Sequence, residues 1–389
     1  SYTVTVTVFD DDGGVGVDTF TVTVNNVAPT VDAGANQDAN EGAVLTLDPT
    51  TFNDLGTLDT HTATIDWGDS SPADTGVVIE TPFGPPGSTL GADGTVIGSH
   101  VYADNGDYTV TVTVTDDDGG IGVDTFTVTV NNVAPTVDVG ADQAVDEGVV
   151  LSLAPTTFND LGTLDTHTAT IDWGDSTPAD TGVVVEAPFG PPGSTLGADG
   201  TVSGSHIYAD NGIYTVVVTV TDDDGAAVID TFVVTVNNVA PAIVLSDDQT
   251  TAQYTDPIDP ITITGIDVLT DPLAAVTQYS TDGGATFQGG LPNALTFTRL
   301  NATQWELAGA PHVAPDNYIV RVIMSDDDGG VSASDIDVIV TQEDGGAFYT
   351  GMAYVATPSE NESTATVHLR ATVTDLSPVD PLDNTLGDI

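Results

Sequence analysis

Apolar and polar residues alternate with a period of two along much of this chain. Tyr108, Val110, Val112 and Val114 fall on one face, and Thr109, Thr111, Thr113 and Thr115 on the other. After an Asp-Gly turn, Phe126, Val128 and Val130 alternate with Thr125, Thr127 and Thr129. Successive side chains of an extended strand point to opposite sides, so this pattern predicts an antiparallel hairpin with one buried and one wet face. No segment carries helical periodicity. Each unit is expected to be an all-β sandwich of short strands.

The same pattern returns along the chain. Trp67 recurs as Trp173, and Asn25-Asn26 recurs as Asn131-Asn132 and Asn237-Asn238, each time 106 residues on. Residues 27–132 and 133–238 align without a gap and differ at 20 positions. Such near-identity points to duplication, which adds length rather than a new chemistry. Residues 1–26 match the closing part of the unit, 107–132. A divergent unit follows at 239–341 and closes with Ser325-Asp326-Asp327-Asp328-Gly329-Gly330, close to Thr115-Asp116-Asp117-Asp118-Gly119-Gly120. Residues 342–389 read as the start of a further β domain. The chain opens at Ser1 without a leader or initiator Met and reads as a piece of a longer protein. Its opening hairpin and its late alternating strand, residues 364–374, suggest either an excerpt of a continuous polypeptide or ends that complete each other between copies. The excerpt is the simpler reading, because only the first end matches the repeated unit.

Specific residues carry a family resemblance. Ile65-Asp66-Trp67-Gly68-Asp69, then His100-Val101-Tyr102, then Gly106-Asp107-Tyr108 and the strand running on to Asp116 together resemble the polycystic-kidney-disease (PKD) domain. The second unit carries the same marks from Ile171 to Asp222. The resemblance implies an immunoglobulin-like sandwich, so the chain is identified as a tandem array of PKD-type domains. Asp104-x-Gly106-x-Tyr108 also fits a tyrosine corner. The family implies an extracellular spacer or binding module, found in large surface proteins or appended to secreted enzymes. The stretch between Asp69 and His100 exceeds the family's usual length. The divergent third unit and the tail look like generic bacterial immunoglobulin-like or cadherin-like domains.

Charge narrows the partners. There are 59 acidic residues against three basic ones, a formal net charge of −56, and no Lys. Phosphate backbones and anionic lipid surfaces need clustered cations, so nucleic acid and membrane surfaces are excluded as partners. No apolar run is long enough to span a bilayer. Cysteine is absent, which removes disulfides, zinc–thiolate centres and cysteine nucleophiles. Carboxylates at this density repel one another unless cations gather around them. Only eight of the acids are Glu. Asp suits turns and oxygen-lined calcium sites, although a salt-adapted surface explains the same bias.

The immunoglobulin topology directs the acids to one end. Residues 53–59, with Asp54 and Asp59, are assigned to the B–C loop, Asp116, Asp117 and Asp118 to the F–G loop, and Asn25 and Asn26 to the incoming linker. In the second unit the set is Asn131, Asn132, Asp160, Asp165, Asp222, Asp223 and Asp224; in the third, Asp326, Asp327 and Asp328. These oxygens can converge on a hard cation that wants six to eight ligands, with carboxylates added by the far end of the preceding domain. An interdomain Ca2+ site is the expectation, and a solvated Asp-capped turn is the plain alternative. The string does not match an EF-hand loop.

The other chemistry-bearing residues read as structure. Trp67 and Trp173 fill cores, and His100 and His206 are hydrogen-bonded. No nucleophile elbow, phosphate loop or metal-binding histidine cluster occurs, so no enzyme activity is expected. Residues 82–90 and 188–196, rich in Gly and Pro yet carrying Phe and Leu, read either as a lateral contact of a fibre or as a loop folded on its own domain. Asn301-Ala302-Thr303 and Asn361-Glu362-Ser363 are acceptor sequons. Three roles remain: a structural extender of an extracellular filament, stalk or surface layer built from copies of itself; an adhesin for a carbohydrate or cell-surface protein; and a spacer arm of a secreted enzyme.

Overall fold

The computed structural model describes residues 1–81, 88–186, 194–268, 271–342, 345–350 and 370–375, and every regular element among them is a strand. Most of both Gly/Pro-rich loops, the second sequon and residues 364–369 of the late strand lie outside the described residues. By packing, the chain divides into two units. One comprises Ser1–Asp142, Ser152–Ser205 and Thr215–Val233; the other comprises Gln143–Leu151, His206–Tyr214 and Val234–Ile389.

In the first unit the chain opens with a hairpin of β1 (Tyr2–Phe9) and β2 (Val15–Val22), paired from Tyr2↔Val22 to Phe9↔Val15. The first repeat then forms ten strands: β3 (Thr30–Asp32), β4 (Gln37–Asn40), β5 (Val44–Thr46), β6 (Thr50–Asp54), β7 (His61–Asp66), β8 (Asp74–Glu80), β9 (Ala92–Ile97), β10 (Ser99–Val101), β11 (Gly106–Asp116) and β12 (Ile121–Asn131). Eight of them join edge to edge in the order β3-β6-β9-β8-β7-β11-β12-β4, and β5 pairs with β10. The strand β8 links two layers: Ile65↔Asp74 ties it to β7, and Val77↔Ile97 to β9. One edge pairing is parallel, β4 on β12, with Gln37 opposite Val128.

The alternating strands close the core as their pattern demands. Ile65, Trp67, Val96, Tyr102, Val110, Val112, Val114 and Val128 are fully buried. The aromatic side chains of the core find partners for their polar atoms. The Trp67 indole donates to Asp74 at 2.8 Å, and the Tyr102 hydroxyl donates to the Trp67 carbonyl at 3.1 Å. His100 lies flat on Trp67, 5.0 Å between rings, and bonds Asp69 at 2.7 Å. Burial alone would raise the Asp69 pKa, but hydrogen bonds from Ser71 and His100 hold it low. The Tyr108 hydroxyl donates to the Asp104 carbonyl at 3.0 Å, which makes the tyrosine corner.

The second repeat has the same ten strands, each displaced by 106 residues, from Thr136–Asp138 to Ala227–Asn237. Its corner repeats too, with Tyr214 on the Asp210 carbonyl at 2.9 Å. The divergent region forms nine strands, from Ala242–Leu245 to Val331–Thr341, in a four-stranded and a five-stranded sheet. Ile263, Leu307, Val320, Val322, Met324 and Ile336 are fully buried in its core, and Tyr318 donates to the Ala314 carbonyl at 2.7 Å. Gly345–Tyr349 pairs antiparallel with Ala371–Asp375.

Candidate metal centres at the ends of the repeats

The acidic turn of the first repeat is a self-capped loop. The Asp116 carboxylate accepts the Gly120 amide at 2.7 Å, while the Asp116 amide donates to the Gly120 carbonyl at 3.0 Å. The incoming linker lays the Asn26 amide group across both Asp116 oxygens, at 3.1 and 2.9 Å. This contact holds the Asp116 pKa below the usual carboxylate range. Asp117 accepts the Thr60 amide at 2.8 Å and so ties the two loops together. Asp54 accepts the Gly56 amide at 2.7 Å and faces the His61 ring at 3.3 Å, and the other nitrogen of His61 bonds Glu80 at 2.9 Å. Asp54, Asp59 and Asp116 each place an oxygen within 4.8 Å of the others. Burial, then the neighbouring charges of Asp54 and Asp117, raise the Asp59 pKa.

The second repeat builds the same loop cluster and places it against the first repeat. Asn132 donates to Asp222 at 3.2 Å, Thr166 to Asp223 at 2.8 Å, and Gly162 to Asp160 at 3.0 Å. His167 spans Asp160 and Glu186, both at 3.0 Å. Burial would lower the His167 pKa, but those two carboxylates raise it. The loop after Asp160 packs on the first repeat, where the Leu164 amide donates to the Ala103 carbonyl at 3.2 Å. Gly42 has φ +65°, and a Cβ there would stand 2.7 Å from both the Cβ and the carbonyl oxygen of Leu161. The Glu41 carboxylate accepts the Val133 amide at 2.6 Å.

Here the carboxylates crowd, with the His167 ring bonded to Asp160 beside them. Glu41, Asp104 and Asp165 have oxygens within 4.8 Å of one another, as do Asp160, Asp165 and Asp222, and also Asp165, Asp223 and Asp224. Asp165 is 1% exposed and Glu41 0%. Both Asp165 oxygens and Glu41 Oε2 are buried without a hydrogen-bond partner. Burial and the charges of Glu41, Asp160 and Asp104 push Asp165 up to about 7. Burial also pushes Glu41 up to about 7, against the bond from Val133. Burial, then Asp224, raises Asp104.

In the second unit a third cluster joins the end of the second repeat to the divergent domain. Glu147 accepts the Val239 amide at 2.6 Å, as Glu41 does that of Val133. Glu147, Asp267 and Asp271 bring oxygens within 4.8 Å. Asn238 donates to Asp326 at 3.3 Å, and Asn211 hydrogen-bonds Asp328. Burial raises the pKa of both Glu147 and Asp267.

Asn26, Asn132, Asp54, Asp59, Asp116, Asp117, Asp160, Asp165, Asp222, Asp223 and Asp224 thus stand in or beside the clusters, as do Asp326 and Asp328. Asp118 and Asp327 enter as neighbouring charges, on Asp59 and Asp328 respectively. Asn131 turns elsewhere and donates to the Ala39 carbonyl at 3.0 Å, and Asn25 is exposed. Sequence reasoning did not name Glu41, Asp104, Glu147, Asp267 or Asp271 as ligands, and placed Asp104 only in the tyrosine corner. Two signals were present. Glu41-Gly42 and Glu147-Gly148 recur in step with the repeat, and Asp267 and Asp271 follow a strand much as Asp54 and Asp59 do.

The donor chemistry suits calcium. Every ligand in these groups is a carboxylate oxygen, the hard donor that Ca2+ takes. Buried carboxylates without partners are costly unless a cation meets them. Neither arginine with a described partner serves them: Arg321 forks onto Asp335 at 2.7 and 2.8 Å, and Arg299 bonds the Asn301 and Ala302 carbonyls.

Comparison with known proteins locates the repeats within a family. The PKD domain profile matches residues 26–130 and again residues 132–236. A search of curated proteins gives no match. Among solved structures, the chain is similar to protocadherin gamma B7 extracellular cadherin domains 1–4, at 12% identity, covering 85% of this chain and 80% of that one, with a TM-score of 0.27. It is also similar to the human desmocollin-1 ectodomain, at 14% identity, 92% of this chain, 66% of that one and a TM-score of 0.25. An I-band fragment of titin gives 10% identity, 82% and 99% coverage and a TM-score of 0.33. Matched twice in tandem over more than half its length, the chain belongs to the PKD domain family.

Proposed function

We propose that this chain is a structural extender of an extracellular filament, stalk or surface layer, whose acidic junctions are stiffened by calcium. Tandem PKD and immunoglobulin-like domains are, as a class, extracellular structural or adhesive modules and typically non-catalytic. No helix among the described residues is long and apolar enough to cross a membrane. One comparison carries the calcium reading. Asp59 and Asp165 are the same residue of the same loop in successive repeats. Asp59 is part-exposed, whereas Asp165 lies under the preceding repeat at 1% exposure with both oxygens unpartnered. Seating one repeat on the next therefore buries an anion, a step that a cation has to offset. Partners in this reading are further copies of the same chain.

The test compares thermal melting and small-angle scattering of the chain in calcium, in chelator and in matched sodium. Calcium binding to the folded form at a hundredfold excess over Kd adds about 2.7 kcal/mol, so melting rises and the scattering profile lengthens. Equal recovery in sodium would mean a salt-adapted surface and no junction site.

A further inference from the structure

We propose that the junction between the two repeats binds two calcium ions, bridged by the Asp165 carboxylate, and that only the ion shared with Glu41 and Asp104 couples the repeats. The inference rests on the calcium reading above and divides its site in two. Asp165 is common to three oxygen sets. In one it meets Glu41 and Asp104 of the preceding repeat; in the other two it meets residues of its own repeat, Asp160 with Asp222 and Asp223 with Asp224. Its two oxygens are both buried and both without a hydrogen bond, so each is free for a ligand of its own. A carboxylate that offers one oxygen to each of two cations holds them about 3.5–4 Å apart, the spacing of two-metal sites. Charge points the same way. Glu41, Asp104, Asp160, Asp165 and Asp222 crowd together with the His167 ring on Asp160, and one divalent ion matches only two of the charges that these carboxylates carry when all are ionised.

The two ions have different tasks. The set Asp160, Asp165 and Asp222 has an exact counterpart 106 residues earlier, in Asp54, Asp59 and Asp116. It lies wholly within one repeat, so an ion there braces the B–C and F–G loops of that repeat. The set with Glu41 and Asp104 draws ligands from both repeats, so its ion resists bending between them. Glu41 is already positioned for this task, since its other oxygen holds the Val133 amide.

The experiment counts calcium per chain by native mass spectrometry of the full chain and its variants, with scattering on the same samples. Glu41→Gln should lose one ion and the calcium-dependent extension. Asp160→Asn should lose one ion and keep part of that extension. Asp165→Asn should lose two. An Asp165→Asn chain lacking only one ion, or Glu41→Gln and Asp160→Asn that together lack only one, overturns the bridge in favour of a single bidentate site. Wild-type crystals give a check independent of the variants' folding: anomalous density for calcium should show two peaks flanking Asp165, and one peak overturns the proposal. Two ions without any change in scattering would retain the bridge yet sink the stiffening role. One ion with full extension would do the reverse.

Discussion

Glu41 closes a turn in the first repeat and Val133 opens the second, yet the Glu41 carboxylate receives the Val133 amide at 2.6 Å. Glu147 and Val239 repeat the contact at 2.6 Å. The linker is therefore bonded to the domain behind it before it enters the domain ahead. On the far side, Asn132 and Asn238 bond it to Asp222 and Asp326.

Glu41→Ala should destabilise the chain by about 1 kcal/mol, because a part-buried amide loses its acceptor. Glu147→Ala should cost a similar amount. Urea titration followed by tryptophan fluorescence measures both, and a change below about 0.5 kcal/mol would show the linker amides to be satisfied by water instead.

Gly42→Ala probes the close approach of the repeats. Its φ of +65° imposes strain on alanine of about 1–2 kcal/mol, and the added methyl meets Leu161 as well. Gly34 has φ +88° and open space around its Cβ position, so Gly34→Ala carries the strain alone. We expect Gly42→Ala to be the more destabilising and the only one of the two to alter the scattering profile. Equal effects from both would remove any role for the contact.

Without calcium, stability should fall as pH rises. Glu41 and Asp165 reach about 7 in the fold, above their unfolded values of about 4. A carboxyl raised by folding contributes stability in full below its unfolded pKa and loses it as pH climbs through the folded one. In chelator the melting temperature should thus decline between about pH 4 and pH 7. Calcium binds the ionised forms and should flatten or reverse this slope. A chelated protein that melts higher at pH 8 than at pH 5 would contradict the burial of these anions.

Tyr108→Phe removes the hydroxyl that binds the Asp104 and Asn105 carbonyls at 3.0 and 3.1 Å. The cost should be about 1–2 kcal/mol, with weaker calcium binding as Asp104 loses its anchor. Calorimetric titration separates the two effects, and unchanged affinity would limit the corner to a folding role.

The sequence disclosed part of this directly. The β11–β12 hairpin, the tyrosine corner and the Asp116 turn follow from local alternation and turn chemistry. The asparagine pairs were half legible. Neighbours in an extended chain point opposite ways, so Asn132 can reach Asp222 while Asn131 faces the Ala39 edge. Carboxylates from the preceding domain were expected at the junction, but Glu41 and Asp104 were not legible as the ones that approach Asp165. Only the stacking of one repeat on another brings them there, and nothing local in 106 residues specifies that stacking.

The split of the Asp165 site between two repeats has a bearing on how such a chain lengthens. Both repeats carry a Glu and an Asp at matching positions, Glu41 with Asp104 and Glu147 with Asp210, and the first pair meets the acidic loop of the next repeat at Asp165. In-frame insertion of another 106 residues would thus create a new seam with both halves supplied and no compensating mutation. Growth by duplication is then structurally neutral, and the mechanical character of the array is set by copy number rather than by redesign of any one interface.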